Sequence, residues 1–469
     1  MLRLLRSTIE RLLPEETARR VLAILDEVAG PAEGDRPATT RRMATSAFAI
    51  RVLSAGLAYV GQMLLARWMG GFEYGVFVVV WTLVITLGVV FAFGFEQSVI
   101  TLLRKYAQEN DPGAARGLVL ASRLAAFVIA TLFAAAGSAV LWLRPDLVAD
   151  YRLVPIFVAA VCLPIYAVSE IQDGIAVAEG WPDLALVPTF VARPALILII
   201  VGAALLLGLE TTAVHACWAA VIATWSVTLV QTVLLGRRLA ATLAPAPRRW
   251  DITGWIAVSA PMFLVDAFLV LLNAVDVLFV GRFAEPDRVA VYYATVKTLA
   301  LVHFVYYAAK VAAAKRFASL WHAEAHDELA GFVHSTVRWT FWASLAMSAA
   351  MLVVGRPLLA LFGPGFGEGF PILFVMVIGV LARASVGPAE TLLTMAGQQT
   401  ASAWVYGTTL VVALLLNSIL VPLYGIWGAA LAMAATLIFE SVVLAVVVRR
   451  RLGLDVFVLA PSPRTRVGG

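Results

Sequence analysis

The feature that most constrains this chain is a succession of apolar runs, each long enough to cross a bilayer as a helix of about 20 residues. Hydrophobic residues make up 61% of the 469 residues and charged residues only 14%. A soluble fold of this length cannot bury so much apolar surface, so the sequence predicts an all-α polytopic membrane protein. About twelve spans are predicted, at 47–66, 75–97, 117–143, 153–173, 184–208, 212–235, 255–280, 289–313, 334–360, 370–393, 401–421 and 425–448.

Lysine and arginine are distributed unevenly between the predicted spans. They accumulate in the N-terminal tail, in alternate loops such as those with Arg104–Lys105 and Arg237–Arg238, and after the last span at Arg449–Arg451. Because cytoplasmic segments carry the excess of positive charge, both termini are predicted to be cytoplasmic. The net charge of +5 is therefore a consequence of topology and does not indicate a nucleic-acid partner.

The N-terminal tail, residues 1–42, has apolar residues at helical spacing, among them Leu2, Leu5 and Ile9, with basic residues on the other face. Two interpretations remain open. The tail binds in the plane of an anionic leaflet, or it is partly ordered and only sets topology.

Equal spacings suggest that the chain is a tandem repeat. Arg67 and Arg123 are 56 residues apart (123 − 67), and so are Arg282 and Arg338 (338 − 282), with an offset of 215 between the pairs (282 − 67). Six spans per repeat imply two lobes that enter the membrane from the same side. The predicted division is a first lobe at 43–236, a cytoplasmic linker at 237–252, a second lobe at 253–450 and a C-terminal tail at 451–469.

Cations inside the spans are the candidate functional residues, because a charge in hydrocarbon is costly and usually faces a cavity, a partner or a substrate. Arg51, Arg193, Lys297 and Arg383 are predicted to form a basic cavity for a phosphate or another anion. Arg51 could also reach the headgroups from the cytoplasmic end of its span. The alternative is pairing with membrane acids, namely Glu96, Asp266, Asp276, Glu390 or Glu440.

Arg123 and Arg338 are assigned a structural role, because they recur at equivalent positions of the two repeats. Asp266 is the acid predicted to lie deepest in the membrane. It could carry a coupling ion such as a proton, or neutralise an arginine. Glu170, Asp173 and Glu390 are predicted to lie in solvent at cytoplasmic span ends.

The sequence predicts no catalytic group, cofactor or metal site. Cys162 and Cys217 lie in apolar runs and are predicted to be core residues. His322 and His326 are four residues apart, but no third ligand accompanies them.

Three segments resemble polysaccharide exporters of the multidrug/oligosaccharidyl-lipid/polysaccharide (MOP) superfamily. They are Leu65-Ala-Arg-Trp-Met-Gly-Gly-Phe-Glu-Tyr-Gly-Val-Phe77, the seventh span with Ser259-Ala-Pro261 and Asp276-Val-Leu-Phe-Val-Gly281, and Gly387-Pro-Ala-Glu-Thr-Leu-Leu-Thr-Met-Ala-Gly397. The resemblance extends over roughly residues 43 to 450. It implies two six-helix lobes in a V, and translocation of an undecaprenyl-pyrophosphate-linked oligosaccharide from the cytoplasmic to the outer leaflet of the bacterial inner membrane. Polysaccharide polymerase or assembly proteins are then expected as partners.

Two other functions compete with this interpretation. A drug or cation antiporter of the same superfamily would have an acidic cavity, whereas the membrane cations favour an anion. A polysaccharide polymerase or glycosyltransferase would carry a large external loop, whereas the predicted external loops have about a dozen residues at most.

Overall fold

The computed structural model describes the backbone of residues 38–460 and the side chains of residues 54–460, and all of these side chains belong to the compact unit that begins at Ala49. The described residues form helices and contain no β-strand. The predicted amphipathic helices of the N-terminal tail lie outside them. The α-helices are α1 Ala38–Phe91, α2 Phe95–Gln108, α3 Pro112–Leu143, α4 Asp150–Ala160, α5 Leu163–Ala178, α6 Pro182–Val187, α7 Arg193–Leu206, α8 Ala213–Thr242, α9 Ile252–Leu272, α10 Val275–Phe283, α11 Pro286–His322, α12 His326–Ala360, α13 Phe370–Ala384, α14 Ala389–Met395, α15 Gln399–Tyr424 and α16 Ile426–Leu452.

Ten helices in the described range are long and apolar enough to cross a membrane, and eleven if the pair α4 and α5, bent by 49°, counts as one span. The predicted loop between the first two spans is wrong, because the helix continues through it with a single non-helical residue, Gly70 (φ 77°, ψ 168°). The apolar stretch Ser54–Gln108 has 55 residues. At 1.5 Å per residue it measures about 80 Å, more than twice the bilayer core. Twelve spans remain a prediction, with Gly70 as the dividing point.

The helices of the second half follow the lengths and breaks of the first. The long helix α3 begins at Pro112 and its counterpart α12 at His326. The next helix is broken in both halves, between Ala160 and Leu163 and between Ala384 and Ala389. These matched breaks support the tandem repeat inferred from the arginine spacing.

Buried apolar residues form three clusters among the described side chains. One joins both halves of the sequence and contains Tyr74 and Tyr292. A second contains Ile171 and consists of first-half residues together with Trp255. A third contains Leu329 and consists of second-half residues alone. The two halves therefore share one core and also have a separate core each.

Helix α9 connects the two halves at the end where their cores are separate. Ser98 of α2 and Ser259 of α9 share a 2.6 Å hydrogen bond, and the indole of Trp255 donates to the Tyr106 hydroxyl at 2.8 Å. On its other side α9 packs against α15. Any separation of the halves at this end requires α9 to leave α2 or α15.

The segment that carried the first resemblance, from Leu65 to Phe77, is a structural junction. Glu73 accepts a 2.6 Å hydrogen bond from the backbone N–H of Ala213, and so stabilises the positive end of α8. Gly75 lies against the carbonyl oxygen of Pro286, so close that a Cβ atom would overlap that oxygen. The motif therefore joins the first half to the start of α11.

Candidate substrate site in the membrane

Arg193 is buried, with 3% of its surface exposed, and begins α7 directly after a short π-helix at Pro188–Ala192. Its Nη2 donates a 2.7 Å hydrogen bond to Ser169, and its guanidinium lies 4.6 Å from the ring centre of Tyr166. Its Nε is buried without a hydrogen-bond partner. Such an unsatisfied donor is costly, so Arg193 retains the capacity to bind an anion.

Three acids surround Arg193. Glu170 interacts electrostatically with Arg193 and with Asp266 of α9, and Asp173 interacts with both Glu170 and Arg193. The carboxylate of Asp266 accepts no hydrogen bond and forms no ion pair among the described residues. With all four groups ionised, this cluster carries three negative charges and one positive charge. The surroundings of Arg193 are thus acidic, contrary to the expectation of a basic cavity.

The prediction that Asp173 lies in solvent is wrong. Its carboxylate accepts hydrogen bonds from Thr189 at 2.6 Å and from Gln231 at 2.7 Å, and the side chain is only partly exposed. Gln231 also donates to the backbone of Leu184 at 2.9 Å. Asp173 is therefore part of a hydrogen-bonded network inside the first half.

Arg383 is fully engaged in the second half. Its Nε donates to Glu440 at 3.0 Å, its Nη1 to the carbonyl of Gly387 at 3.1 Å, and its Nη2 to Glu390. Lys310 forms a second ion pair with Glu390 at 3.3 Å. The two cations balance the two acids, so pairing with membrane acids, the alternative interpretation, is the arrangement observed.

The break between α13 and α14 explains the position of Arg383. Gly387, with φ of 56°, and Pro388 interrupt the helix and leave the Gly387 carbonyl without a helical partner. Arg383 and the Tyr306 hydroxyl both donate to that carbonyl. Glu390 is only 5% exposed, so the prediction that it lies in solvent is wrong.

Lys297 is partly buried on α11 and forms no ion pair within the described part of the chain. Its ammonium lies 4.8 Å from the ring centre of Tyr293, whose ring contacts Tyr74 of the first half at 6.2 Å. The neighbouring Thr298 hydroxyl lies 3.3 Å from that of Tyr59, also in the first half. Lys297 is therefore a cation without an ion pair at the boundary between the halves.

Asp276 attracts Lys297 electrostatically but forms no ion pair with it. Its carboxylate accepts instead from the Tyr292 hydroxyl at 2.7 Å and from the backbone N–H of Val277 at 2.8 Å. The ammonium of Lys297 therefore keeps its N–H donors for another acceptor.

The two arginines assigned a structural role have different surroundings. Nε and Nη2 of Arg123 are buried without hydrogen-bond partners, whereas Arg338 is exposed. Neither pairs with an acid among the described side chains. Their equivalence in the repeat does not extend to burial. The side chain of Arg51 lies outside the described residues.

The structure brings together two residues that sequence reasoning did not select. Lys310 lies one helical turn after Tyr306, and a lysine inside an apolar run was its available signal. Glu170 lies one turn after Tyr166 and is only partly exposed. The described residues hold no group of three metal-ligating side chains. Cys162 and Cys217 are buried free thiols, as predicted.

No hydrogen bond or ion pair among the described residues joins the Arg193 cluster to the Arg383 cluster. Each half has its own polar network, and Lys297 lies at the boundary between the halves. Two networks of this kind in a polytopic helical fold define a protein of the membrane transporter or flippase class.

The chain belongs to the polysaccharide biosynthesis protein family, whose model matches residues 41–314, more than half of its length. No curated protein sequence matches it. Solved structures of the MOP superfamily share its fold. An inward-facing multidrug resistance MATE family transporter is 14% identical with a TM-score of 0.66, over 86% of this chain and 94% of that one. The lipid II flippase MurJ, in an inward closed conformation, is 12% identical with a TM-score of 0.67, over 86% and 87%.

A MOP superfamily transporter from Pyrococcus furiosus, described as having a binding pocket of reverse polarity, is 13% identical with a TM-score of 0.63, over 88% of this chain and 96% of that one. At such identities the likeness concerns the fold. Family and fold together identify a multi-pass membrane protein of the flippase or transporter type associated with polysaccharide biosynthesis.

Proposed function

We propose that this protein translocates an undecaprenyl-pyrophosphate-linked oligosaccharide from the cytoplasmic to the outer leaflet of the bacterial inner membrane by alternating access. The product serves the biosynthesis of O-antigen, capsule or exopolysaccharide. Both termini face the cytoplasm. The family match and the MOP fold support the transporter class, and the membrane cations support the anionic headgroup.

Lys297 is the observation that carries the proposal. A partly buried ammonium without an ion pair retains its donors for a ligand, and a compact lysine charge suits phosphate oxygens. Its helix contacts the first half through Tyr293 and Tyr74. A pyrophosphate bound there would lie where the two halves meet, and it could favour one arrangement of the halves over the other.

Arg193 is the second proposed headgroup ligand, since its Nε has no partner. Arg383 is proposed to hold the second half together, because its donors are already used by Glu440, Gly387 and Glu390. Arg51 remains a predicted ligand at the cytoplasmic entrance. Asp266 remains the proposed site of ion coupling, because its carboxylate is free to exchange a proton or a cation.

The acids near Arg193 favour a second candidate, an antiporter for an organic cation. Glu170, Asp173 and Asp266 would attract a cationic ligand, and Arg193 would leave part of that attraction uncompensated. Substrate charge therefore separates the two functions. The flippase depends on Lys297 and the antiporter on Glu170 and Asp266.

Transport by purified protein in liposomes tests the proposal. A fluorescently labelled undecaprenyl-pyrophosphate oligosaccharide is reconstituted with the protein, and its appearance in the opposite leaflet is followed with a membrane-impermeant quencher. We expect Lys297→Gln to slow translocation at least tenfold. Lys315→Gln, the same substitution at an exposed position of the same helix, should transport like the wild type.

Equal rates for Lys297→Gln and the wild type would remove Lys297 from the site. Absence of lipid transport by the wild type, together with uptake of an organic cation that Glu170→Gln and Asp266→Asn abolish, would establish the antiporter instead.

A further inference from the structure

A cavity of about 210 Å³ lies between two segments that are far apart in sequence, the start of α4 and the residues that follow α10. Both segments lie at the ends of their helices that are joined to the predicted external loops. One half of the chain supplies each wall. The lining residues are Leu147, Val148, Ala149, Tyr151, Arg152, Arg282, Phe283, Ala284 and Glu285.

Arg152 is the buried cation of this cavity, with 9% of its surface exposed. Its Nε is buried and donates to no acceptor, and its guanidinium lies 5.1 Å from the ring centre of Tyr151. The ring covers one face of the guanidinium but accepts nothing from the in-plane N–H of Nε. An unsatisfied charged donor in a buried position is costly unless a ligand accepts from it.

Arg282 brings a second positive charge to the same cavity. It is exposed, lies 5.7 Å from the ring centre of Phe283, and interacts electrostatically with Arg152. Neither arginine forms an ion pair among the described residues. Glu285 also lines the cavity, but no oxygen of its carboxylate lies within 4.0 Å of either guanidinium. Two like charges thus face each other with incomplete compensation.

The nearest ion pair outside the cavity does not supply the missing charge. Arg144 and Asp146 bind each other through two hydrogen bonds of 2.9 and 2.8 Å. The Arg144 guanidinium lowers the pKa of the Asp146 carboxyl, so the pair stays ionised and neutralises itself. The cavity keeps an excess of positive charge.

We propose that the Arg152–Arg282 cavity binds a phosphate-class anion, held by guanidinium groups from both halves of the chain. Guanidinium N–H groups match phosphate oxygens in geometry and charge. The volume exceeds the roughly 30 Å³ that a water molecule occupies in the liquid, and the apolar walls of Leu147 and Phe283 suit the start of a lipid chain. Bridging by such an anion would stabilise the state in which these two segments are close.

The source of the phosphate rests on the proposed function, whereas the site itself does not. Under that function the anion is the pyrophosphate of the lipid carrier, bound at the end opposite to the tails. Inorganic phosphate and the phosphate of a bilayer lipid have the same chemistry, and the test distinguishes them.

The test is binding of inorganic pyrophosphate to purified protein by isothermal titration calorimetry. It is performed in the Lys297→Gln background, so that the proposed headgroup site inside the membrane does not contribute. We expect saturable binding, weakened at least tenfold by Arg152→Gln and by Arg282→Gln and less by Arg282→Lys. The exposed Arg356→Gln is the control and should bind normally. Because Arg282 is exposed, its variant keeps the fold, which the thermal unfolding midpoint verifies.

Unchanged affinity in Arg282→Gln with a normal midpoint would overturn the site, as would absence of binding in the parent. Competition at the cavity then identifies the source. Displacement of pyrophosphate by inorganic phosphate at similar concentration assigns the site to free phosphate, and displacement in nanodiscs containing phosphatidylglycerol but not phosphatidylcholine assigns it to anionic bilayer lipid. Preference for pyrophosphate over both supports the lipid carrier. The liposome assay reports separately on translocation, so failure of either proposal leaves the other testable.

Discussion

Arg383 of α13 and Glu440 of α16 form a buried hydrogen-bonded ion pair, with Nε 3.0 Å from Oε1. Each belongs to a different helix, and they are 57 residues apart in sequence. Glu390 completes the arrangement on the other side of the guanidinium. A charge that suggested a ligand in the sequence is thus mainly a connection between helices, which leaves Lys297 as the better candidate for substrate.

Loss of Arg383 should destabilise the second half. Arg383→Gln leaves two buried carboxylates, Glu390 and Glu440, with Lys310 as their remaining cation. Removing one partner from a buried ion pair costs about 3–5 kcal/mol. We expect a clearly lower thermal unfolding midpoint in detergent, and a double variant with Glu440→Gln that is less destabilised than the sum of the single variants.

Arg338→Gln serves as the control for this experiment, because Arg338 is an exposed cation inside a membrane helix. Its unfolding midpoint should match the wild type. A stable Arg383→Gln protein that has lost transport would contradict the structural assignment and return Arg383 to the substrate site.

Gly75 should tolerate no side chain. A Cβ atom there would overlap the Pro286 carbonyl oxygen, which is backbone and cannot turn away. Overpacking of this kind costs about 1–3 kcal/mol, so Gly75→Ala should lower the unfolding midpoint. Gly137→Ala is the matched control in α3. A Cβ atom at Gly137 would meet no other atom within 4 Å, and replacing a helical glycine there should be neutral or stabilise by about 0.5–1 kcal/mol.

A disulfide between α2 and α9 should stop the transport cycle. The hydroxyl oxygens of Ser98 and Ser259 are 2.6 Å apart, close enough for Ser98→Cys and Ser259→Cys to join. In a background with Cys162→Ala and Cys217→Ala, we expect an oxidant to reduce translocation at least tenfold and a reductant to restore it.

Each single-cysteine variant should be unaffected by the oxidant. Transport at the normal rate by fully cross-linked protein would show that α9 stays on α2 throughout the cycle. The moving contact would then be the one between α9 and α15.

Long-range periodicity was readable from the sequence. The apolar runs predicted the helices, since about 20 apolar residues cross a bilayer whatever surrounds them. The arginine offset predicted matched halves, and the breaks in α4–α5 and α13–α14 agree with it. The loop predicted before Tyr74 was wrong because a single glycine, Gly70, bends the chain while the helix continues on both sides.

The sequence by itself determined that this chain is a helical membrane protein with costly cations inside its spans, because hydropathy and charge are properties of single residues. Only the tertiary structure decided what each cation does. Pairing depends on distances between helices that are not adjacent in sequence, and those distances assign Arg383 to Glu440 and Glu390 while leaving Lys297 without an ion pair among the described residues. The same geometry surrounds Arg193 with acids, which no count of charges along the chain could reveal.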